Sequence, residues 1–175
     1  MKKTCTNYAF IDSQNINLQV RGAGWRIDWH RFRIFLKEKY GVEIAYLFIG
    51  FVHENQNLYR SLQRAGFILV FKEVSWREDG KPKGNVDAEL VLQAMIDLKE
   101  YDRAVIATSD GDFSCLVRYL AKEKKLECVL SPNLKTCSVL LKKAARDRIA
   151  FLEDVRHRIE YKALKMKKHR AGTKP

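Results

Sequence analysis

The feature that most constrains this chain is an alternation. Short apolar runs recur at residues 8–11, 43–52, 67–71, 103–108 and 126–130, with a shorter one at 149–152. Continuous runs of this length are what strands buried on both faces require, whereas strands with one wet face alternate apolar and polar residues. Between most of the runs lie segments with helical spacing. Strand–helix alternation dictates a parallel sheet covered on both faces, so the expected architecture is α/β, in three layers, with five or six mostly parallel strands.

The helices announce their ends. Asp28 is placed to cap a helix running to about Tyr40, with Trp29, Phe32, Phe35, Leu36 and Tyr40 on one face and Gly41 as its stop. Leu58, Leu62 and Ala65 mark a second helix before Gly66. Val86, Leu90, Ala94 and Leu98 recur every fourth residue, and Phe113, Leu116, Val117 and Leu120 define a helix to about Glu123. A further helix is expected over 135–145, residues 16–24 read as a connection, and 72–85 reads as a long polar loop.

Charge and cysteines narrow the partners and the compartment. No run reaches the 18 or so apolar residues that cross a membrane, and the first residues lack the apolar core of a leader peptide, which predicts a cytoplasmic protein without membrane attachment. Cys5, Cys115, Cys128 and Cys137 are widely spaced; three fall in apolar segments and read as small core residues rather than zinc ligands or disulfides. The formal charge is +12, and residues 142–175 hold twelve lysines and arginines against four acids. Clustering on that scale suits phosphate contacts, with a solvated surface helix as the alternative. The expected division is a domain over 1–154 and a basic tail over 155–175, helical and then disordered. Exposed helices leave room for a homodimer.

Against this frame the acids stand out. The run 104–107 passes through Thr108-Ser109 into Asp110-Gly111-Asp112, and the first run ends at Asp12. Asp87 opens the middle helix. Each has an ordinary explanation: Asp112 as an N-cap, Asp110-Gly111 as a turn, Asp87 as a favourable charge at a helix start. Together they lie at strand ends or helix starts on one edge of one sheet, where open α/β sheets bind ligands. Two carboxylates about 4 Å apart repel by roughly 4 kcal/mol at an effective dielectric near 20. A hard divalent cation, Mg²⁺ or Mn²⁺, is the compensation such a cluster calls for.

Three segments in this order, Ile11-Asp12-Ser13-Gln14-Asn15, Lys83-Gly84-Asn85-Val86-Asp87 and Thr108-Ser109-Asp110-Gly111-Asp112-Phe113, resemble the NYN domain family of PIN-like nucleases, which includes LabA-like bacterial proteins. The resemblance implies a Rossmann-like fold and an acidic, metal-dependent ribonuclease site. By position, Asp12, Asp87 and Asp110 are then the metal ligands, with Asp112 as a further catalytic acid and Asn15 as a polar companion. Asn15 and Ser109 are expected to orient water or phosphate. Lys81 and Lys83 are placed to reach the RNA backbone and Trp76 to stack on a base, or, equally, to be solvated and to pack on the domain. Ser13 stands where many members carry glycine, and Asn85 intervenes between Gly84 and Val86-Asp87.

The rival reading is an RNA-binding or regulatory module of the same fold that needs no metal. A Ser-His-Asp hydrolase is unsupported, since no Gly-x-Ser-x-Gly elbow is present. A haloacid dehalogenase is excluded because Asp12-Ser13-Gln14 lacks the second acid of its Asp-x-Asp motif.

Overall fold

The computed structural model describes residues 6–72, 75–76, 82–83 and 87–162, with only the backbone of 75–76 and 82–83. In chain order the elements are β1 (Asn7–Asp12), α1 (Ser13–Gly22), α2 (Trp29–Tyr40), β2 (Val42–Gly50), α3 (Gln56–Arg64), β3 (Ile68–Lys72), β4 (Ser75–Trp76), β5 (Pro82–Lys83) and α4 (Asp87–Ile96). There follow β6 (Ala104–Ala107), α5 (Ser114–Lys122), β7 (Leu126–Ser131), α6 (Val139–Ala145), β8 (Ile149–Phe151) and α7 (Arg156–Ile159).

Six strands form one parallel sheet in the order β3-β2-β1-β6-β7-β8. The chain winds outward from β1 to β3, returns to β6 beside β1, and winds outward the other way. This reversal is the doubly wound arrangement, and its switch point lies between β1 and β6. The short pair β4–β5 is antiparallel and separate, within the stretch expected to be a polar loop.

Strand periodicity divides the core. Along β1, Ala9 and Ile11 face one layer while Tyr8 and Phe10 face the other. The first layer packs Ile16 and Val20 of α1, Phe32, Phe35 and Leu36 of α2, and Leu62 of α3. The second packs Leu90 and Ala94 of α4, Leu116, Val117 and Leu120 of α5, and Leu141 of α6. Each of the branched and aromatic side chains, when fully buried, contributes about 1.5–3 kcal/mol of transfer free energy.

The caps match the sequence at α2: the Asp28 carboxylate accepts from the Arg31 N–H, and Gly41 ends the helix at φ 62°. Three expectations are corrected. Residues 13–22 form α1 rather than a connection; its apolar face is only Ile16 and Val20, too narrow a stripe to stand out among Ser13, Gln14, Asn15, Asn17 and Gln19. The helix expected over 135–145 begins at Val139, because Asn133 Oδ1 accepts from the Thr136 N–H and hydroxyl, and Ser138 supplies the cap. Cys128 and Cys137 are core residues as expected, but Cys115 is exposed, on the outward side of α5.

The basic segment begins attached to the fold. Ile159 is fully buried, Arg158 pairs with Glu38 at 3.0 Å, and Arg156 pairs with Glu160 at 2.7 Å. These two guanidiniums lie over the rings of Phe35 and Trp25 respectively. Residues 163–175, which carry the rest of the expected phosphate contacts, lie outside the described residues. No helix among the described residues is long and apolar enough to cross a membrane.

Candidate metal centre at the sheet switch point

Three of the four expected acids come together at the switch point, with Asp112 rather than Asp12 beside Asp87 and Asp110. Oxygens from Asp87, Asp110 and Asp112 all lie within 4.8 Å of one another, contributed by the first turn of α4 and the turn after β6. At that separation each ionised pair repels by about 3–4 kcal/mol at an effective dielectric of 20. The exposed member of the three is Asp112.

Asp12 ends β1 and is buried, at 5% exposure. Its Oδ1 accepts from the Asn15 N–H at 3.1 Å, capping α1, and its Oδ2 lies 3.4 Å from the Thr108 hydroxyl. Burial pushes its carboxyl up to about 6, the charges of Asp87 and Asp110 push the same way, and the Asn15 N–H and Thr108 hydroxyl oppose them. Asp12 therefore feels the charges of Asp87 and Asp110 from a buried position.

The turn that carries Asp110 and Asp112 is clamped on every side. Thr108, fully buried, presents its Oγ1 to the Asp110 N–H at 3.1 Å while its hydroxyl faces Asp12. Asn15 Oδ1 accepts from both the Ser109 N–H, at 2.9 Å, and the Ser109 hydroxyl, at 2.8 Å. The Ser109 carbonyl accepts from the Ser138 N–H at 3.0 Å. Asp110 Oδ1 accepts from the Asp112 N–H, so Asp110 rather than Asp112 is the cap of the 3₁₀ turn Gly111–Phe113. A Cβ on Gly111 would stand 2.5 Å from Ser138 Oγ, which makes glycine a condition of this close approach.

The expected site residues thus separate. Asp87, Asp110 and Asp112 converge, with Asp12 buried beside them. Asn15 and Ser109 are bonded to each other. Lys81 lies outside the described residues, as do the side chains of Trp76 and Lys83. His30, His53 and His157 are exposed and outside the acid group. Ser13, where glycine was expected, is accommodated by donating its hydroxyl to the buried Phe48 carbonyl at 2.7 Å.

Two residues of the clamp carried no separate signal in the sequence. Thr108 and Ser138 read only as a strand end and a loop serine, since their partners are set by folding. A third, Lys72 at the end of β3, holds Glu89 of α4 at 3.2 Å and so ties the helix that carries Asp87 to the sheet edge.

A doubly wound sheet with carboxylates gathered at its switch point is the architecture of an acid-site α/β domain. The chain belongs to the NYN domain family, whose model matches residues 8–153; NYN domains are generally nucleases and generally bind RNA. It is 26% identical over 161 residues to the low amplitude and bright protein LabA of Synechococcus elongatus, covering 86% of each chain. Its fold is shared by a solved structure of a Vibrio parahaemolyticus protein of unknown function, VPA0982, at a TM-score of 0.78 and 22% identity, covering 92% of this chain and 99% of that one.

Proposed function

We propose that the protein is a ribonuclease that hydrolyses RNA phosphodiester bonds with a divalent cation held by the acids of the switch point. The observation that carries this reading is the convergence of Asp87, Asp110 and Asp112 within 4.8 Å. The donor set is all carboxylate oxygen, which suits Mg²⁺ or Mn²⁺ and is poor for softer metals. When bound, such a cation neutralises phosphate charge and activates water for in-line displacement.

The chain's own residues do the rest. Asp87, Asp110 and Asp112 supply ligand oxygens from two elements, and Asp12 adds a fourth carboxylate from β1. Thr108, Asn15 and Ser138 keep the Asp110–Asp112 turn in place, so that the carboxylates stay close despite their repulsion. The net charge of +12 draws the substrate strand toward the domain.

The test is cleavage of end-labelled single-stranded and hairpin RNA with Mn²⁺, Mg²⁺ or chelator, beside Asp87→Asn and Asp110→Asn. Metal-dependent cutting that both variants lose while still binding RNA supports the reading. Salt-sensitive binding with no cutting in any metal replaces it with an RNA-binding module of the same fold.

A further inference from the structure

A cleft of about 350 Å³, large enough for a small organic ligand, opens at the carboxyl-end edge of the sheet. Its wall is built from residues at the carboxyl ends of three neighbouring strands: Ser13 and Gln14 after β1, Gly50 closing β2 with Val52 just beyond it, and Lys72 closing β3. Ser13 follows Asp12 directly, so the cleft opens on the same edge of the sheet as the acids.

We infer that this cleft takes one unpaired base of the RNA strand, flanking the bond to be cut. The inference rests on the ribonuclease reading for its substrate class. Trp29 and Leu58 provide apolar surface, and Trp29 is half-buried against Phe32 and Phe67, which limits its freedom to turn. Gln14, Asn17 and Asn55 bring three side-chain amides to the lining. Each offers a donor and an acceptor, the combination that reads the Watson–Crick edge of a base.

Charge favours a nucleotide over a neutral ligand. Lys72 is neutralised by Glu89, so the positive charge of the cleft rests on Arg21 and Arg26, both exposed at its rim. A phosphate attached to the seated base meets these guanidiniums. A paired base cannot leave its helix to enter a cleft of this size without unstacking, so the site selects single strands.

The test uses the full chain in chelator, with an eight-nucleotide single-stranded RNA and the same sequence in a duplex as probes. Backbone and side-chain amide shifts of the wild type locate the contact. Leu58→Trp fills the cleft from a partly exposed position, and Asn17→Ala removes an amide. Each is expected to weaken single-strand binding about tenfold with an unchanged melting temperature, in keeping with the loss of one stacked base. Arg21→Ala is expected to reduce the slope of log affinity against log salt by about 0.7.

Shifts outside the cleft, or variants that bind the single strand as the wild type does, overturn the base site even if the protein cuts RNA. Shifts at Gln14, Asn17 and Trp29 that Leu58→Trp abolishes support it. The same shifts in a protein that cuts nothing with any metal support the base site and overturn the nuclease.

Discussion

Asn15 and Ser109, 94 positions apart in sequence, are joined by two hydrogen bonds to a single oxygen: Asn15 Oδ1 accepts from the Ser109 N–H and from its hydroxyl. One residue stands in the first turn of α1 and the other follows β6, so the pair spans the switch point. It ties the turn that carries Asp110 to the helix that Asp12 caps.

Asn15→Ala is expected to leave the Ser109 N–H without its partner, costing about 1–3 kcal/mol in denaturant unfolding. The same variant is expected to lose most of its RNA cleavage, since the Asp110 turn is released from α1. Asn15→Asp keeps an acceptor oxygen for both Ser109 donors and is expected to retain the fold. Equal cleavage by Asn15→Ala and the wild type would show that the pair does not position the acids.

Asp12 gives a pH dependence with a definite sign. Its carboxyl, at about 6 in the fold against an ordinary 3.8, binds more protons folded than unfolded between those values. The metal-free protein therefore loses stability from this group as pH rises through that window, and the penalty is complete above about pH 6. Asp12→Asn keeps the cap acceptor and the shape but has no charge to bury. In chelator at pH 7 it is expected to be more stable than the wild type by about 3 kcal/mol, with the gap closing toward pH 4. A gap that does not change with pH would contradict the burial argument.

Gly111 and Ser138 form a steric pair. Gly111→Ala places a methyl 2.5 Å from Ser138 Oγ and is expected to cost about 1–3 kcal/mol by overpacking. Ser138→Gly alone removes only the cap of α6, at a few tenths of a kcal/mol. The double variant is expected to recover most of the loss. Additive single effects in thermal or urea unfolding would argue against the contact.

Divalent cation binding should read out as stability even without substrate. A cation that binds only the folded state at a hundred times its Kd adds about 2.7 kcal/mol. For a chain of this size that raises Tm by about 5–10 °C. Mn²⁺ is expected to produce this shift in the wild type and not in Asp110→Asn, by calorimetry or thermal circular dichroism.

Much of the fold was legible because its signals are local. The apolar runs at 8–11 and 104–108 are buried on both faces and had to be continuous. Asp28 and Gly41 bound α2 through their own backbone neighbours. Helix α1 has a weak local signal because only Ile16 and Val20 bring apolar side chains inward, and the capping role falls to Asp110 rather than Asp112 because the cap depends on how the turn leaves β6.

What the sequence by itself determined was the architecture and the inventory of acids. Strand–helix periodicity forces a covered parallel sheet, and acids at strand ends must then appear on one edge. What only the tertiary structure decided was which of them meet. Asp87, Asp110 and Asp112 share one locus while Asp12 is buried beside them, because β1 and β6 become neighbours at the reversal of strand order and Asn15, Thr108 and Ser138 close the turn from three directions. Distances between residues so far apart in the chain are set by packing, and no local pattern encodes them.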